Sequence, residues 1–119
     1  MTPPPEPSSQ WLRGVLDVCL LSVVEDQPAY GYEMTSRLRE RGLDSVADGS
    51  IYPALARLER DGFMDSYKVP GDSGPPRKYY RITEAGERLL SDNRRQWANF
   101  ASGVASVLRL GEGTHDQGR

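Results

Sequence analysis

Residues 48–82, DGSIYPALARLERDGFMDSYKVPGDSGPPRKYYRI, admit few structures. The stretch PGDSGPP carries three prolines and two glycines, so it can be neither helix nor central strand. On either side Phe63–Val69 and Arg77–Ile82 alternate as strands do and are rich in Tyr, Val and Ile. A two-stranded hairpin with a long tip follows, its second strand basic and aromatic. Immediately upstream, at about 100° per residue, Ile51, Leu55 and Leu58 fall on one side of a helix. Pro53, Ala56, Arg57 and Arg60 fall on the other, with Tyr52 flanking. Asp48 or Ser50 caps this helix; Pro53 is tolerated in a first turn and favours the later start, giving a helix over 50–61 that Gly62 stops.

Upstream, residues 1–9 hold four prolines with Ser and Thr and are expected to be a disordered arm. From Trp11 to Val24 a helix carries two apolar stripes, one of Leu12, Val15, Leu16, Cys19 and Val23 and one of Trp11, Val18 and Leu21. In so small a chain one of these faces is expected to meet another subunit. Glu25-Asp26-Gln27-Pro28 breaks the pattern. Tyr30–Arg41 reads as a second helix with Tyr30, Met34 and Leu38 inward, Arg37, Arg39 and Arg41 suiting its C-terminal dipole, and Gly42 as its stop. Leu43–Ala47 is a short connection that Val46 anchors.

Downstream, Thr83 caps a final helix with Glu84 in its first turn. Leu90, Asn93, Trp97, Phe100, Val104 and Val107 recur at spacings of 3, 4, 3, 4 and 3, the seam of a coiled coil with one polar member. So short a seam needs a partner helix, from the core or from a second subunit. The last residues, 111–119, read as a frayed tail with His115 inert.

A chain of 119 residues builds one modest core and leaves no room for a separate catalytic domain. The one histidine sits in the tail and the one cysteine, Cys19, in an apolar run, where it reads as a buried spectator. No metal-ligand spacing occurs, so neither an enzyme nor a cofactor is expected. Neither a membrane span nor a secretory signal is apparent, and the expected location is the cytoplasm. The net charge of −2 conceals an asymmetry: residues 1–49 carry −4, whereas residues 50–82 carry +2.

Three helices followed by a basic, aromatic hairpin make a winged helix-turn-helix, in a mainly α chain with a small β-hairpin. The helix at 50–61 is then a probe for the major groove, where Arg57 or Arg60 reads guanine or grips phosphate. The alternative for both is a solvated face paired to acids of neighbouring turns. Arg77 and Lys78 of the wing would meet phosphates or the minor groove. Ser50, Tyr52 and Lys68 complete the expected DNA-contacting set. Tyr79 and Tyr80 point to opposite faces, with Tyr80 and Ile82 expected inside.

GSIYPALARLERDGF with GPPRKYYRITEAG resembles the PadR family of bacterial transcriptional regulators, and WLRGVLDVCLLSVV with YGYEM resembles that family's first two helices. The likeness covers about residues 11–108. It implies a homodimeric winged-helix repressor on a palindromic DNA operator, the long C-terminal helix of each subunit crossing the other's first helix. The chain is similar to the short-tailed branch. In multidrug-sensing relatives of that branch a Trp of the C-terminal helix lines a cavity between subunits and stacks on flat ligands. Trp97 falls at that place, with Phe100 beside it and Trp11 and Val15 as candidate walls, so a small aromatic ligand is an expected partner; the alternative is a plain seam residue. One departure is Tyr30, where many members carry His before Gly-Tyr.

The expected division is thus an arm at 1–9, a winged helix-turn-helix at 10–82, a dimerisation helix at 83–110 and a tail at 111–119. The rival reading is a winged-helix protein-interaction module with no DNA role, which the acidic balance favours.

Overall fold

A computed structural model describes residues 15–44 and 48–111, with the backbone alone at 48 and 49. The expected arm, Trp11, Val46 and the tail with His115 lie outside the described residues. Among the described residues four helices and three strands follow in the order α1 (Leu16–Val23), β1 (Ala29–Tyr30), α2 (Gly31–Glu40), α3 (Asp48–Arg60), β2 (Met64–Val69), β3 (Arg77–Ile82) and α4 (Glu84–Val107).

The first helix is the centre of the core. Leu20 and Leu21 are fully buried, and Leu16, Val23 and Val24 nearly so, because α2, α3 and α4 all pack on α1. Leu20 belongs to neither of the two expected stripes; it lies between them and is enclosed from both sides. Val15, Val18 and Cys19 are half-buried at the edge of this core. Cys19 is therefore only partly enclosed, although burial still raises its thiol pKa.

The last carbonyls of α1 need partners, since no further turn supplies N–H groups. Arg37 provides one: its Nη1 donates to the Val23 carbonyl at 2.7 Å and to that of Gln27 at 3.0 Å. It was expected to serve the end of its own helix; instead it clamps the end of α1. Met34 and Leu38 face inward as anticipated.

Tyr30 does not begin the second helix. It closes a two-residue strand, β1, which pairs antiparallel with β3 through Ala29 opposite Tyr80 and Tyr30 opposite Tyr79. A strand this short shows no alternation in sequence, so the hairpin conceals a third strand. The backbone N–H of Tyr30 donates to Glu33 Oε1 at 3.2 Å, tying the first turn of α2 to that strand.

The third helix buries Ile51, Ala54, Leu55 and Leu58 and leaves Tyr52, Pro53, Ala56, Arg57 and Arg60 exposed. It starts at Asp48, not at the later point expected, so Pro53 lies inside it. The missing proline N–H removes one bond, to the carbonyl four residues earlier in the first turn, and the ring faces solvent; the usual mid-helix penalty is thereby reduced. Gly62, at φ +85°, ends the helix, with the Phe63 N–H donating to the Leu58 carbonyl at 2.9 Å.

The sheet order is β1-β3-β2. β2 and β3 pair from Met64 opposite Ile82 to Val69 opposite Arg77. One face places Met64, Tyr80, Ile82 and Ala29 over the helices; the other carries Tyr30, Tyr79 and Tyr67 in one row. Tyr80 is inside, as alternation required.

Thr83 caps α4 by accepting the Gly86 N–H at 3.0 Å, and its own hydroxyl donates to the Gly62 carbonyl at 2.6 Å. The start of α4 is thus tied to the end of α3. Along its 24 residues, ~36 Å, the helix changes character. Leu90 is 1% exposed in the single chain. It therefore finds its partner in the core of its own chain and is not available to a seam between subunits. Beyond it, Trp97, Phe100, Val104 and Val107 are exposed.

Candidate nucleic-acid interface

The exposed side of α3 and the wing both carry basic and aromatic side chains. Ser50 and Tyr52 lie at the N-terminal end of α3. The Tyr52 ring rests on the first residue of α2, Gly31, and remains 55% exposed. Further along α3, Arg57 Nη2 meets Asp17 of α1 at 3.0 Å, and Arg60 Nε meets Asp61 at 3.1 Å. Ion pairing was the alternative to DNA contact for both arginines. The Arg57 partner, however, is not on a neighbouring turn but 40 residues away on α1. Both side chains remain about half or more exposed, and such a pair contributes only ~0.2–1 kcal/mol, so it does not bar exchange for a phosphate.

On the wing, Lys68 stands directly opposite Lys78. Like charges at this spacing repel. The repulsion is relieved by Glu59 in the last turn of α3: its Oε1 lies 3.1 Å from Lys78 Nζ, and its Oε2 accepts the Ser66 hydroxyl at 2.5 Å. The Ser66 hydroxyl, then Lys78, hold the Glu59 carboxyl below its usual pKa, and Glu59 raises that of Lys78. Nothing in the sequence marks this link, because helix, β2 and β3 meet only in three dimensions.

At the base of the wing tip the Arg77 guanidinium lies 4.7 Å from the Tyr30 ring centroid, and Arg81 lies 5.1 Å from that of Tyr67. Between them the three rings form a row across all three strands: Tyr30 meets Tyr79 edge-on at 5.4 Å, and Tyr79 stacks on Tyr67 at 5.8 Å. Tyr30 thus supports a wing arginine in the position where a His was expected from the resemblance. Among the described residues neither Lys68 nor Arg77 has an ion pair.

The residues singled out for a ligand lie elsewhere, on α4. Trp97 and Phe100 are neighbours with ring centroids 5.9 Å apart, 47% and 64% exposed. Val104 and Val107 continue their line, and with Asn99, Gly103 and Leu108 they edge a shallow apolar hollow. Asn93 is half-buried at its start. Val15, the residue that precedes α1, is half-buried against the core.

The model of the transcriptional regulator PadR-like family matches residues 20–92, from α1 into α4. The chain belongs to the PadR-like family of transcriptional regulators. This PadR-like chain is 32% identical over 109 residues to the transcriptional regulator Rv3488 of Mycobacterium tuberculosis, covering 92% of itself and 95% of that protein. Its fold is similar to a PadR-like transcriptional regulator from Bacillus cereus, with TM-score 0.73 and 34% identity over 83% of this chain and 96% of that one. A PadR family regulator from Eggerthella lenta gives TM-score 0.75 and 35% identity over 86% and 88%. The family regulates transcription through DNA and is not a family of enzymes. Among the described residues of the PadR-like chain, no helix is long and apolar enough to cross a membrane.

Proposed function

We propose that this PadR-like chain is a homodimeric, sequence-specific repressor that works on the bacterial nucleoid in the cytoplasm and is released from DNA by a small aromatic effector. The observation that carries dimerisation is the distal half of α4. Trp97, Phe100, Val104 and Val107 expose a continuous apolar stripe on a helix whose proximal half is packed. Such a stripe needs a partner. A second copy supplies a matching one by two-fold symmetry. Residues 10–82 then serve as the DNA-binding unit and 83–110 as the dimerisation helix, with 1–9 and 111–119 as appendages.

The weak local charge supports the same reading. A surplus of +2 over residues 50–82 holds DNA poorly, whereas two copies set about one turn apart, ~34 Å, act on both halves of a palindrome. Trp97 and Phe100 on the two subunits offer flat rings to a planar ligand.

Gel shifts on the DNA upstream of its own and neighbouring genes test the proposal, repeated across salt. Specific retardation that weakens as salt rises is expected. Equal affinity for random duplex refutes sequence-specific regulation, and no retardation by any fragment leaves the protein-interaction reading. Tryptophan fluorescence titrated with planar cationic or phenolic compounds is expected to quench with saturation, and Trp97→Ala to abolish that quenching.

A further inference from the structure

We propose that Glu59 is a positioning residue and an electrostatic brake on DNA binding, holding the wing at its angle to α3 while masking the charge of Lys78. The proposal rests on the reading of this face as the DNA interface.

Its basis is that one carboxylate serves three elements. Glu59 rides on the last turn of α3; one of its oxygens accepts the Ser66 hydroxyl of β2, and the other pairs with Lys78 of β3. Both strands of the wing are therefore referenced to the recognition helix through a single side chain. The arrangement costs charge where DNA needs it. Lys68 and Lys78 face each other across the wing, a pair suited to straddling an anionic backbone, yet in the free protein Glu59 already neutralises one of them. When phosphate takes the Lys78 ammonium, the Glu59 carboxylate keeps its Ser66 hydrogen bond and stays close to the phosphate, which repels it. A lysine that exchanges a carboxylate for a phosphate also gives a smaller net release of cations than a free one does, because the freed carboxylate attracts cations in turn. Glu59 thus lowers both affinity and salt dependence while it sets geometry.

The test uses full-length protein and a random-sequence duplex, since a phosphate contact is independent of sequence. Glu59→Gln keeps the shape and an acceptor for Ser66 but removes the charge. It is expected to tighten binding by about two- to fivefold and to steepen the slope of log K against log salt by up to about 0.9 per protomer. Lys78→Ala is expected to weaken binding and flatten that slope, and Glu59→Gln in the Lys78→Ala background to lose the gain in slope. Ser66→Ala, which spares both charges, is expected to weaken binding at unchanged slope. Wild-type binding with Glu59→Gln no tighter and no steeper overturns the brake, and an inert Ser66→Ala overturns the positioning role. Failure of the wild type to bind any duplex overturns the DNA interface itself, and the brake with it.

Discussion

Tyr52 of α3 and Gly31 of α2 touch so closely that a Cβ at position 31 would lie 2.6 Å from the Tyr52 hydroxyl oxygen and 2.8 Å from its ring. No real Cβ makes such contacts, so glycine is the condition for Tyr52 to lie where it does. The obstructed group is the far end of a side chain that is more than half exposed, and it is free to swing away. Gly31→Ala is therefore expected to keep the fold, with a melting temperature within a few degrees of wild type, and to weaken DNA binding as much as Tyr52→Ala does. Thermal melts and gel shifts on the two variants check this; full affinity in Gly31→Ala removes Tyr52 from the interface.

Asp17 and Arg57 form the longest-range ion pair on this face, at 3.0 Å with both side chains near half exposure. Asp17→Asn is expected to cost no more than ~0.5 kcal/mol in chemical denaturation and to raise DNA affinity by freeing the guanidinium. Arg57→Ala should reduce discrimination between operator and random duplex by ~1–3 kcal/mol if it reads a base. Equal loss on both duplexes assigns Arg57 to phosphate instead.

Arg94 of α4 grips Glu25 beyond α1 with two nitrogens, at 2.8 and 3.2 Å, and also reaches the Ser22 hydroxyl at 3.1 Å. This clamp ties α4 to the end of α1. Arg94→Ala is expected to cost ~0.5–1 kcal/mol and to weaken binding to a full palindrome more than to a half-site. The Arg94 hydrogen bond holds the Glu25 carboxyl below its usual pKa. A depressed carboxylate stabilises the fold fully above its unfolded pKa, ~4.3, and loses that contribution as pH falls through the lower folded value. The deficit of Arg94→Ala is thus expected near neutrality and should vanish in acid; a deficit independent of pH contradicts the clamp.

Val107 is 81% exposed, so a charge there leaves the protomer core intact. Val107→Glu is expected to convert a dimer to a monomer by light scattering and to abolish operator binding. A wild type that scatters as a monomer, or a variant that remains dimeric, removes the α4 stripe from the interface.

Most of the elements are legible in residue order because their signals are local. The alternation around PGDSGPP locates the hairpin, the 3.6-residue period marks the buried face of α3, and Thr83 marks the start of α4. Leu90 shows the limit of such signals. Its seam spacing is real, but periodicity identifies a packed side without saying against what, and the core claims it. The start of α3 lies earlier than the proline rule places it for a related reason, since Pro53 forfeits only one bond close to the start of the helix.

Periodicity, turn chemistry and motif were enough for the winged-helix class and the family, since each is written over a few adjacent residues. The contacts that shape the proposed interface were decided in space alone: Glu59 with Ser66 and Lys78, Asp17 with Arg57, Gly31 with Tyr52, and the strand at Ala29–Tyr30. Each joins residues that no local period relates. Only packing α2, α3 and α4 around Leu20, with the hairpin against those three helices, brings them within reach.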